Sequence, residues 1–175
     1  LERLERWIRL AGERLKGTGA QMYVTGGNDD LEEIKAVVAK SDFVLDPEEK
    51  IVDIEGKYEM ASLGFSNPTP WKTPRECSEE ELWQKIETMV SRVKDMKNCI
   101  FNFHVPPIDT PISECQKLDE NFKPVFLASE PVMISAGSVS VRKAVEQYQP
   151  LLGLHGHIHE ARGVVKIGRT VCINP

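Results

Sequence analysis

The sequence predicts a single α/β domain over residues 1–175. Short apolar runs with strand spacing alternate with amphipathic stripes of helical period, and the most polar motifs fall just after the apolar runs, where ligand sites of open α/β sheets gather.

Leu4, Trp7, Ile8, Ala11 and Leu15 recur at helical spacing, so the chain opens in an amphipathic helix. Residues 21–25 read as a short buried strand that Gly26, Gly27, Asn28, Asp29 and Asp30 break into a turn. Leu31, Ile34, Val37 and Val38 then give a second helix. Residues 51–55 and 58–63 look like paired strands, because Gly56 supplies the dihedral freedom that a tight turn needs. Pro68, Pro70 and Pro74 exclude regular structure from the next stretch. Ser78 and Glu81 have the spacing of a capping box and open a helix whose one face carries Leu82, Ile86, Met89, Val90 and Val93. Residues 99–103 form a strand that ends at His104. Residues 105–135 are irregular in pattern and predict a surface excursion, after which Ser138 caps a helix through Val141, Ala144, Val145 and Tyr148. Residues 151–154 make another strand, and residues 163–167 and 169–173 a closing hairpin turned at Gly168.

Composition narrows the function classes. A net charge of −5, without a basic stripe, argues against a stable nucleic-acid complex. No segment approaches the roughly twenty apolar residues of a membrane span. The four cysteines form no Cys-x-x-Cys pair, which disfavours a structural zinc site and suits reduced thiols in a cytoplasmic protein.

The histidines are more informative. There are four in 175 residues, and His155, His157 and His159 fall within one short segment, where alternation in an extended chain would turn all three to one side. Imidazole nitrogens suit zinc, manganese, iron or nickel, so this pattern points to a metal centre. Two further polar groups follow apolar runs: Gly27-Asn28-Asp29-Asp30, and His104 before Val105-Pro106-Pro107. Taken singly, Asn28 reads as a turn residue and His104 as a core histidine. Trp71 reads as a core aromatic and Arg142 as a surface cation, both outside the site.

In order and placement, these motifs resemble those of the calcineurin-like metallophosphoesterase family, namely Gly-Asn-His-Asp/Glu, a lone histidine after a strand, and Gly-His-x-His. The likeness spans about residues 20–175. It implies a four-layer α/β/β/α sandwich and a phosphomonoesterase or phosphodiesterase acting on a small phosphate ester or nucleotide. It further implies that Asn28, His104 and His157 bind one divalent cation and His159 a second, the pair (Mn, Fe, Ni, Zn or Mg) activating a bridging hydroxide. Asp30 matches an acidic position whose carboxylate orients a ligand histidine, and His155 lies one step outside the ligand pair, as an outer partner or a structural residue. Asp29 stands where many relatives carry a proton-donating histidine, so it is the candidate catalytic acid, with capping of the next helix as the alternative.

The family also uses Asp-x-His and Gly-Asp motifs ahead of the asparagine, and the first 25 residues contain neither Asp nor His. Opening inside a helix, the chain is expected to be the larger C-terminal portion of such a domain and, alone, to bind metal weakly and turn over nothing. Two rivals remain. One is a catalytically inactive scaffold of the same fold that binds partner proteins. The other is a metallo-β-lactamase-type hydrolase, whose His-x-His-x-Asp-His pattern Glu160 and Ala161 do not supply.

Overall fold

The computed structural model describes residues 1–175. Four helices, α1 (Glu2–Leu15), α2 (Glu33–Val38), α3 (Glu79–Val90) and α4 (Val139–Tyr148), are interleaved with twelve strands. Six of the strands make the principal sheet: β3 (Ile51–Ile54), β4 (Tyr58–Leu63), β5 (Cys99–Phe103), β10 (Leu152–Leu154), β11 (Gly163–Ile167) and β12 (Thr170–Asn174). Their order is β11-β12-β10-β5-β4-β3. The central strands β12, β10, β5 and β4 run parallel, and each edge is closed by an antiparallel hairpin partner. The fold is therefore α/β, a six-stranded mixed sheet flanked by helices.

Both hairpins follow from their turns. Glu55 and Gly56 have φ of 56° and 65°, a left-handed pair within the three-residue connection between Ile54 and Tyr58, and Asp53 accepts the Gly56 amide hydrogen at 2.7 Å. Gly168 turns the second hairpin at φ 59°. Strand period then decides what is buried. Cys99, Phe101 and Phe103 point from β5 into the core, while Ile100 and Asn102 between them are only half-buried. On the core side they meet Leu82, Ile86, Met89 and Val90 of α3 and Val141, Ala144 and Val145 of α4. Each fully buried large side chain there contributes about 1.5–3 kcal/mol.

The capping box at Ser78 and Glu81 is present, and Ser138 caps α4 by accepting from the Val141 amide. Glu79 in the first turn of α3 also accepts from Ser138 Oγ and from the Val139 and Ser140 amides, so one carboxylate joins the starts of both helices.

Three expectations need correction. The strand expected over residues 21–25 is reduced to β1 (Met22–Tyr23), paired in parallel with an unforeseen β2 (Val44–Leu45). The excursion at 105–135 holds four short strands, β6 (Glu114–Gln116) paired with β9 (Met133–Ser135) and β7 (Phe126–Leu127) paired with β8 (Glu130–Pro131). The stripe on α1 buries no residue completely, although α1 packs against α2. No helix is long and apolar enough to cross a membrane.

Candidate functional site

The parallel strands deliver their following residues to one end of the sheet. The His104 amide donates to the Leu63 carbonyl at 2.8 Å, and the Gly156 amide to the His104 carbonyl at 2.8 Å, so the segments leaving β4, β5 and β10 stay in register past the strands. The loop carrying Asn28 closes over this end. Asp30 Oδ2 accepts from the Gly27 amide at 2.8 Å, and the Arg75 amide donates to the Asn28 carbonyl at 3.1 Å. Close approach requires glycine at position 27, because a Cβ there would lie 2.7 Å from His104 Cε1 and 2.8 Å from its Nε2.

Asn28, His104 and His157 come together as the sequence motifs imply. Asn28 Oδ1 accepts from His104 Nε2 and from His157 Nδ1, each at 2.9 Å. Its Nδ2 donates to Thr73 Oγ1 at 2.8 Å, which fixes the amide with its oxygen towards the two rings. His157 reaches this point through left-handed backbone at φ 66°, unusual for a residue with a side chain and characteristic of functional turns. Burial, followed by the repulsion of His157, Arg75, His159 and His155, presses His104 down to about 3. His157 is also lowered, by burial first and His159 next, with Asp29 and Glu76 opposing. Both rings are therefore neutral near pH 7, the form in which imidazole binds a cation.

The other candidates separate. His155 does not share a side with His157, because the left-handed turn breaks the alternation. It is buried, with its Nδ1 donating to the Phe103 carbonyl at 2.9 Å and its Nε2 unpartnered, and it braces the end of β5 beside His104. Burial lowers it to about 4 against hydrogen bonds with the Phe103 and Val105 backbone. His159 is exposed and makes no hydrogen bond to the cluster, although its charge is felt by His104 and His157. Asp29 is exposed and raises His157, and it caps nothing: the N-cap of α2 is Glu32, with no side-chain cap hydrogen bond. The carboxylate of Asp30 ties its own loop rather than orienting a histidine. No three His, Cys, Asp or Glu side chains converge closely enough to hold a metal ion, so any cation here must use the amide oxygen of Asn28.

The supporting residues were not foreseen. Thr73 belongs to a loop held by Glu76, whose carboxylate accepts from Thr69 and Thr73 through both side chains and both amides. Burial opposes this, but the four hydrogen bonds win and hold Glu76 at about 2. Beneath the Gly26-Gly27 turn lies Arg75, 1% exposed and paired with buried Glu48, which also accepts from the Gly64 amide. The placement of Thr69 and Thr73 between the prolines, with Glu76 just after them, was the available signal for Thr73. Nothing in the spacing of Glu48 and Arg75 announces their pairing. Trp71 lies on the same loop and is 60% exposed, so it is not a core aromatic, while Arg142 braces the Ile108 and Asp109 carbonyls.

No protein-family model matches the sequence. Over 151 residues, 85% of its length, the chain is 33% identical to the uncharacterized protein MJ1162 of Methanocaldococcus jannaschii, and it spans 61% of that relative. Among solved structures, TT1561 of Thermus thermophilus superposes with a TM-score of 0.62 at 14% identity, over 98% of this chain and 68% of that one. A second crystal structure reaches 0.68 at 17% identity, over 99% and 63% respectively. At these identities the structural likeness is one of fold.

Proposed function

We propose that this protein is a cytoplasmic, metal-dependent phosphoesterase of the calcineurin-like type, hydrolysing a phosphomonoester or phosphodiester, its sheet forming part of a four-layer α/β/β/α sandwich. One observation carries the reading: Asn28 Oδ1, His104 Nε2 and His157 Nδ1 meet at the ends of parallel strands. Their 2.9 Å separations suit a shared cation, since ligands about 2.1 Å from an octahedral metal are about 3.0 Å apart along an edge. One amide oxygen and two neutral imidazoles add no negative charge, so they leave a divalent cation strongly electrophilic. When bound, such a cation supplies Lewis acidity towards a phosphoryl oxygen and lowers the pKa of a coordinated water.

The protein's own part is positional. Thr73 holds the Asn28 amide, Gly27 lets the loop approach His104, and His155 supports the strand end. Asp29, exposed and with its charge acting on His157, is the candidate proton donor to a leaving oxygen.

The test is hydrolysis of bis(p-nitrophenyl) phosphate and p-nitrophenyl phosphate by the full-length protein, with Mn²⁺ in excess and after chelation. Activity is expected only with metal. His157→Ala should cost more than the ~10–100-fold that follows loss of an outer partner of a metal ligand. Hydrolysis that survives both chelation and His157→Ala would overturn the reading, and a protein that neither binds a cation nor hydrolyses either ester would be the inactive scaffold.

A further inference from the structure

Two aromatic rings stand in water, one of them on the loop whose Thr73 binds Asn28. Trp71 is 60% exposed and Phe122 52% exposed, and they lean on one another with centroids 6.2 Å apart and planes 23° from parallel. They come from separate excursions of the chain, the proline-rich loop before α3 and the turn between β6 and β7. Both supports are stiff. The Trp71 loop is held by the Glu76 carboxylate, and the Trp71 amide itself donates to Thr69 Oγ1 at 3.2 Å. The Phe122 turn is held by Asp119, whose Oδ1 accepts from the Asn121 and Lys123 amides at 2.8 and 3.0 Å. Phe122 sits at φ 60°, a conformation that bulky residues avoid and that surrounding structure must impose.

Position gives the pair its meaning. Thr73, two residues after Trp71, hydrogen-bonds Asn28 of the cluster at 2.8 Å, so the loop that carries Trp71 also touches the candidate site. Each ring is followed in sequence by an exposed lysine, Lys72 and Lys123, a cation suited to an anionic ester. Exposed aromatic faces next to cations bind planar anionic molecules, because stacking desolvates the ring while the charge stays at the edge.

We propose that Trp71 and Phe122 form a stacking platform for a planar aromatic group on the ester, and that the substrate class is a nucleotide rather than a sugar or alkyl phosphate. This rests on the phosphoesterase reading for its chemistry, although the platform itself binds without turnover.

The test measures equilibrium binding of adenosine 5′-monophosphate and ribose 5-phosphate to the full chain by calorimetry, with and without Mn²⁺. These probes share the sugar phosphate and differ in the base. The monophosphate is expected to bind about tenfold tighter or better. Trp71→Ala should bring the two dissociation constants together, Trp71→Phe should keep most of the preference, and Phe122→Ala should lose part of it. Since both side chains are largely exposed, unchanged circular dichroism is expected for all three variants. Equal or undetectable binding of the two probes, or a preference that survives Trp71→Ala, would overturn the platform. Base preference without any hydrolysis would leave the platform standing and remove the phosphoesterase reading. Metal-dependent hydrolysis with no base preference would do the opposite.

Discussion

Gly27 shows how narrowly the site is specified at the level of single atoms. Its φ is not left-handed, so alanine fits the backbone, but the added methyl carbon would press on the His104 ring at under 3 Å. That ring is held by one hydrogen bond and cannot yield without leaving Asn28. Gly27→Ala is therefore expected to weaken cation binding more than tenfold while lowering the melting temperature by only a few degrees, about what 1 kcal/mol removes from a domain of this size. Titration with Mn²⁺ beside a thermal melt separates the two, and unchanged affinity would show that His104 is no ligand. The buried His155 offers the contrast. Its Nδ1 is committed to the Phe103 carbonyl, so its loss should be felt in stability before it is felt in the site.

At the scale of elements, the junction of α3 and α4 concentrates stability in one side chain. Glu79 accepts from Ser138 Oγ at 2.7 Å and from the Val139 and Ser140 amides at 3.0 and 2.9 Å, satisfying donors that the start of α4 would otherwise leave open. Glu79→Ala should cost about 1.5–3 kcal/mol, as loss of hydrogen bonds to a charged group does, whereas Ser78→Ala, removing a single exposed cap, should cost about 1 kcal/mol. Urea denaturation of both variants checks the order, and equal costs would mean that the inter-helix carboxylate is solvated rather than structural. Ser78 and Ser138 were legible in the sequence because capping is a local code of fixed spacing. The link through Glu79 was not, since it joins residues about sixty apart. The same distinction runs through the site. Asn28, His104 and His157 stand out as one set through their resemblance, in order and strand-end placement, to the phosphoesterase motifs, whereas Asn28 and His104 taken singly read as a turn residue and a core histidine. His155 was misplaced because alternation holds only while the backbone stays extended, and His157 is left-handed. The strands of two and three residues in 105–135 are too short to display a period. Residue type alone does not tell an exposed tryptophan from a buried one, and Trp71 was misjudged for that reason.

For the molecule as a whole, the sheet gathers the three candidate ligands and sets how many the proposed centre could have. Four parallel strands open towards one end, and the segments following β5 and β10 contribute His104 and His157, with Asn28 folded over from the first third of the chain. Within residues 1–175 the proposed centre would have three ligands, all uncharged, while His159 stands exposed and makes no hydrogen bond to the cluster. Uncharged ligands bind divalent cations less tightly than carboxylates do, because no anion compensates the desolvation of the ion. A polypeptide of residues 1–175 is thus expected to bind about one Mn²⁺ per chain, weakly, and to hydrolyse neither nitrophenyl ester at a measurable rate. A two-cation centre would need carboxylates from outside this stretch, and the chain spans 61% of its archaeal relative. Equilibrium dialysis with elemental analysis decides the matter. Two tightly held cations in residues 1–175 would mean that His159 and Asp29 rearrange to complete a second site, and the ligand assignment drawn from Asn28, His104 and His157 would then have to be redrawn.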